Sequence, residues 1–252
     1  MVASILWAAG IALESLILLR FLRCRLFRHF PHFFVYMAVA WISTVALLPL
    51  YHSAAYTNAY WALEFLGLLA GFGVLLELLE KSLEPYAGAK RFATAVLAGI
   101  FAVLFSYCAY KVTIAPPGSV YESFPSLELD FRTVQALALT GFLALIAYYR
   151  IDVGKNLKGI TFGFGLYIGS IVLSHAIRAY AGQSFDSAWE VIQPYTFLIA
   201  LLIWTWALWS YAPAPVPHRT PDGGGDYEDL ARRTRERVQA MRAEIGRAEG
   251  ND

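Results

Sequence analysis

Cysteine, charge and a basic N-terminus are what this 252-residue chain has least of. Its two cysteines, Cys24 and Cys108, cannot build a disulfide framework. The topology derived below places them near opposite membrane faces, too far apart to pair within one chain. Charged residues make up 15% of the chain, against about 25% in an ordinary soluble domain. A net charge of +1 gives no basic footprint for nucleic acid. The opening stretch, MVASILWAAGIALESL, lacks a basic n-region. The first apolar block is therefore expected to stay as a membrane span and not to be cleaved as a signal peptide. Catalytic patterns are missing too: there is no GxSxG, HExxH or phosphate-loop motif. The last apolar block, VIQPYTFLIALLIWTWALWSY, has no lysine for a retinal Schiff base. His52 and His175 fall at different depths, against a two-histidine haem. No enzyme activity, metal or cofactor is expected.

What is present is apolar residue in blocks. The chain is 58% apolar with a mean hydropathy of +0.50. Its apolar runs are about 20 residues long, the length that crosses a bilayer core of about 30 Å. They read as seven spans, at residues 2–19, 33–51, 60–84, 92–110, 131–149, 160–180 and 191–211. The fold class expected is an all-α membrane protein, a seven-transmembrane-helix bundle. Lysine and arginine orient it. Ten of them (Arg20, Arg23, Arg25, Arg28, Lys81, Lys90, Arg91, Arg150, Lys155 and Lys158) fall at one set of span ends, and three (Lys111, Arg132 and Arg178) at the other. This predicts an outside N-terminus and a cytoplasmic C-terminus.

Three segments follow from composition: a seven-helix transmembrane domain over 1–211, a Pro/Gly-rich linker over 212–225 and a charged cytoplasmic helix over 226–252. In the tail, Tyr227, Leu230, Thr234, Val238, Met241 and Ile245 recur at helical spacing, with acid-first pairs Glu228–Arg232 and Asp229–Arg233. The apolar seam is thin, so the tail is expected to be a solvated helix, with a protein partner or self-association as its use.

The third span, YWALEFLGLLAGFGVLLELLEKSLE, organises the rest. A carboxylate at mid-membrane depth costs about 2.5–3.5 kcal/mol, and this span carries Glu64, Glu77 and Glu80. At 100° per residue Glu64, Gly67 and Gly71 share one face, and Gly73, Glu77, Glu80 and Glu84 nearly the opposite one. A helix with polar groups on both faces needs neighbours on both sides, and the glycine pair suits a close backbone approach.

Depth then groups the polar residues. Counting 1.5 Å per residue along antiparallel spans, Glu64 and His175 lie at about the same outer depth. Arg178 is one turn beyond His175, and Gln135, Gln193 and Tyr195 occupy the same half. These six residues form the candidate ligand or proton site; a buried ion pair that merely holds helices together is the alternative. Glu14, Glu77 and Glu80 form a second set of intramembrane carboxylates. Glu77 and Glu80 lie near basic loops that would neutralise them, while Glu14 has no evident partner. The function these features suggest is sensory or accessory, in a bacterial cytoplasmic membrane, with an outward polar pocket coupled to a cytoplasmic helix. The rival is a small proton-coupled transporter using the intramembrane glutamates, which the lack of inverted repeats disfavours.

Overall fold

The computed structural model describes residues 2–50, 53, 55–84, 86–114, 120–149, 151, 153–181, 186–209, 232 and 234–236. Among them there is no strand, and seven long helices account for nearly all the backbone: α1 (Val2–Arg23), α2 (Pro31–Leu50), α3 (Tyr56–Ser82), α4 (Ala87–Ile114), α5 (Val120–Tyr149), α6 (Lys155–Ala181) and α7 (Asp186–Leu208). Six of the seven are long and apolar enough to cross a membrane; in α7 the apolar stretch is Ile192–Leu208. The chain divides into two compact units, Met1–Pro215 and Val216–Asp252, and the helices belong to the first. In the second, only Arg232 and Thr234–Glu236 are described, and they are helical. The expected linker and most of the expected tail helix lie outside the described residues.

The helices pack in a ring. α1 touches α2, α2 touches α3, α3 touches α5, α5 touches α6, α6 touches α7, and α7 closes on α1. α4 lies outside the ring against α3 and α5, and among its described side chains only Leu97 and Cys108 are buried. Aromatic side chains fill the middle. Trp204 of α7 meets Phe33 of α2 edge-on at 5.2 Å, and Tyr36 of α2 meets Phe164 of α6 edge-on at 5.4 Å. Lipid tails are as apolar as these rings, so the ring is held by dispersion, close backbone approach and interhelical hydrogen bonds more than by water exclusion.

Local chemistry explains the element ends. α1 stops after Arg20 and Arg23, and Arg25 turns the chain with a left-handed backbone, φ 53°. A short 3₁₀ turn, Leu26–Arg28, then buries Leu26. Pro31 opens α2, where its missing N–H is no loss. α3 carries neighbours on both sides, as its two polar faces require. Gly73 lies against His32 of α2, and Gly71 lies against Gln135 of α5. Gly67, read from the sequence as half of a close-approach pair, has open space where its Cβ would be.

Two boundaries differ from the sequence reading. α5 begins at Val120, eleven residues before the expected start at Phe131. The acids in SLELD suggest a loop, yet Leu127 and Phe131 are buried on the same helix, and Glu128 finds a partner there in Arg132. α7 begins at Asp186, before the expected start at residue 191, which leaves Pro194 inside the helix.

Candidate functional site

The site is built where α3 and α5 run side by side in the same direction. Arg132 of α5 is 3% exposed. Its Nη2 donates to Glu64 Oε1 of α3 at 2.5 Å. One turn back on α5, Glu128 Oε1 lies 3.8 Å from Arg132 Nε. The guanidinium also sits over the Tyr167 ring of α6, 5.5 Å from its centroid, a cation–π contact that strengthens as the ion is desolvated. One turn further along α5, the fully buried Gln135 donates from Nε2 to the Leu68 carbonyl of α3 at 3.0 Å.

The cluster is thus two carboxyls around one guanidinium, drawn from α3 and α5 and backed by a tyrosine from α6. Among the described residues Arg132 Nε and Nη1 and Gln135 Oε1 are buried without a hydrogen-bond partner. An arginine has five N–H donors, so one short bond and a ring face leave it under-used. The cavity that touches Glu64 and Glu128, between Trp61, Leu68, Cys108 and Phe131, measures about 10 Å³. That is at the lower limit for one water molecule.

The partner of Glu64 is therefore Arg132, and the pairing of Glu64 with His175 or Arg178 expected from depth is corrected. Depth was matched on antiparallel helices, whereas the cation comes from a parallel neighbour. His175 faces another way: with Leu104, Asp130 and Thr133 it lines a separate cavity of about 520 Å³ between α4, α5 and α6. Arg178 is exposed near the end of α6. On α7, Gln193 is half-buried and Tyr195 exposed; α7 reaches the cluster's surroundings one turn later, where Phe197 packs on Tyr167 at 5.2 Å. Of the six expected residues, Glu64 and Gln135 share the cluster around Arg132. Arg132 reads from the sequence as a span-end charge, and Glu128 falls in the segment before the expected span. The signal that would have found both is LELDFR, an acid-first pair at i,i+4 entering an apolar run.

The second set of carboxylates separates by role. Glu77, 4% exposed, reaches across from α3 to the start of α2, where the Phe33 N–H donates to its Oε2 at 2.9 Å. His32 Nδ1 lies 3.9 Å from its other oxygen. The first amides of a helix have no partner within it and carry partial positive charge, so Glu77 caps α2 from a neighbouring helix. Of the basic residues at this end, Lys81 is one turn along α3 and places its charge near Glu77. Lys81 lies over the Phe30 ring at 5.1 Å, and Arg20 donates to the Trp209 carbonyl. Loss of a cap typically costs about 0.5–2 kcal/mol. Glu77→Ala should lower thermal stability by that amount, while Glu77→Gln, which keeps an acceptor oxygen, should lower it less. Equal losses in a melting experiment would mean that shape, and not the hydrogen bond, is what Glu77 contributes. Glu14, 1% exposed, accepts a 3.4 Å hydrogen bond from Thr44 of α2, and nearby Trp41 Nε1 donates to Ser15 at 2.9 Å. Its partner is thus a hydroxyl, which no charge count along the sequence reveals. Glu80 is half-buried. Among the described residues no group of three or more His, Cys, Asp or Glu is placed to hold a metal ion.

Comparison with models of known protein families, with curated proteins and with solved structures finds no match. Apolar helices of this length mark an integral membrane protein, and the bilayer is its environment.

Proposed function

We propose that this chain is a seven-helix protein of a bacterial cytoplasmic membrane, with its N-terminus outside and its C-terminus in the cytoplasm. In this reading it has a sensory or accessory, non-enzymatic role, and its stimulus is taken up at Glu64, Arg132 and Glu128. The seventh crossing is α7, whose 23 residues include the apolar stretch Ile192–Leu208. Burial of Arg132 removes it from the count of outer loop charges, which makes the asymmetry of lysine and arginine steeper and favours the same orientation.

The observation that carries the reading is two carboxyls sharing one buried guanidinium beside a space of about 10 Å³. Such a space has no room for an organic ligand. A proton fits it. With both carboxyls ionised the cluster has one negative charge in excess, and like charges in one poorly solvated site are costly; one exchangeable proton neutralises it. The titratable groups around it are Glu64 and Tyr60 from α3, Glu128 from α5, Tyr167 and His175 from α6 and, further off, Tyr36 from α2 and Glu14 from α1. Proton uptake or release there would change the attraction between α3 and α5, and a bundle closed into a ring passes such a change to its other helices.

The test is infrared difference spectroscopy of the protein in lipid nanodiscs between acid and alkaline buffer. A protonated-carboxyl band that titrates, and that disappears in Glu128→Gln or Glu64→Gln, is the expected result. A spectrum that neither substitution alters would remove the cluster from the proposal. The carrier reading is separable by proton flux into proteoliposomes, for which no gradient-driven uptake is expected. That reading is weakened because Glu77, its inner-side carboxylate, is committed to capping α2.

A further inference from the structure

Away from this cluster, a groove of about 1040 Å³ runs between α5 and α6, closed at one side by Ile203 and Trp206 of α7. We propose that it binds one acyl chain of an anionic phospholipid, with the lipid phosphate drawn to the basic end that Lys155 and Lys158 line.

Three features converge. First, the groove faces outward: Phe162 is 66% and Trp206 70% exposed, so it opens to the bilayer and not to the ring's interior. Second, its body is apolar and roomy along α6. Gly169 has open space at its Cβ position, and Leu143, Ile146 and Leu166 form the walls. From Lys155 to Gly169 the helix rises about 21 Å, more than one leaflet's share of a core of about 30 Å. Third, its charge lies at one end. Lys155 and Lys158, three residues apart and so on one helix face, line that end, while no charged residue lines the other. Lys155 Nζ sits 4.7 Å from the Trp206 ring centroid, which holds it at the mouth. The first turn of α6 has no acid, so its amides add to the positive field there. One charged end and one long apolar body match a phospholipid in one leaflet. A second copy of this chain would have to bring an acidic group onto the lysines with an apolar ridge behind it.

The lipid site stands apart from the proton cluster, and either can fail alone. The experiment is native mass spectrometry of the purified full chain titrated with phosphatidylglycerol or phosphatidylcholine of matched chains. Two lysines at an anionic headgroup should give a preference of about tenfold or more for phosphatidylglycerol. Lys155→Ala with Lys158→Ala should abolish the preference while leaving some binding of both lipids. Gly169→Leu, whose Cβ meets open space and whose side chain takes up room along the groove, should reduce both. Size-exclusion profiles and helix content matching the unaltered protein establish that the variants fold. Equal retention of the two lipids by the unaltered protein, or an undiminished preference in the lysine variant, would overturn the proposal. So would a free fatty acid bound as tightly as phosphatidylglycerol, or a groove covered in a dimer.

Discussion

Arg132→Leu is expected to lower the stability of the bundle by about 3–5 kcal/mol, the typical cost of stranding a buried charge by removing its partner. Two carboxyls, Glu64 and Glu128, lose their common counter-ion at once, and the contact with Tyr167 goes with it. Glu64→Leu alone should cost less, because Glu128 remains beside the guanidinium. Combining Glu64→Leu with Arg132→Leu should cost clearly less than the sum, with a coupling of about 0.5–3 kcal/mol, whereas distant pairs add. The matching cycles with Arg178→Leu and with His175→Leu should be additive. Thermal unfolding in bicelles reads all of these. A cycle in which Glu64 and Arg132 are additive would mean that their short contact does not hold α3 to α5, and the cluster would lose its standing as the polar centre of the fold.

The second large effect is expected at Gly163. A methyl group there would run into the indole of Trp204. That indole cannot step aside: its Nε1 donates to the Ile160 carbonyl at 3.2 Å, and its ring is packed on Phe33 and Tyr36. Gly159 stands likewise against Ala207 of α7, beside the 2.7 Å bond from Asn156 Nδ2 to the Ala207 carbonyl. Overpacking of this kind costs about 1–3 kcal/mol, so Gly163→Ala and Gly159→Ala should each destabilise the α6–α7 pair by that much. Gly67→Ala and Gly169→Ala meet nothing within 4 Å and should be neutral or slightly stabilising, since alanine is the better helix former by about 1 kcal/mol. Four melting curves decide it. If all four glycines respond alike, helix propensity and not close packing governs them, and α6 does not approach α7 through its small residues.

These two sites show how differently sequence and tertiary structure contribute. Helix positions follow from apolar run length, a one-dimensional property: in a membrane every backbone amide must be paired within its own segment, so an apolar run of sufficient length has little choice but helix. The same reasoning gives α3 neighbours on both faces, because two separated stripes of carboxylates and glycines cannot both meet lipid. It fails where an element carries charge at its edge. The start of α5 looked like loop because isolated acids are disfavoured in an apolar setting, and only the fold brings Glu64 to Arg132 and lets that segment continue as helix.

Which helices touch is a two-dimensional question that depth along the chain cannot answer. Depth assigned Glu64 to His175 because both lie in the same half of the bundle; the ring order placed α5 between α3 and α6 and supplied Arg132 instead. Glu77 meets helix amides and Glu14 a threonine hydroxyl, partners that carry no formal charge and leave no mark in a count of acids and bases. By itself the sequence determined a helical membrane protein with ionisable groups that had to be buried. The tertiary structure decided what partners Glu64, Glu77 and Glu14, because in a medium that solvates charge poorly the nearest donor prevails, and nearness is a property of packing.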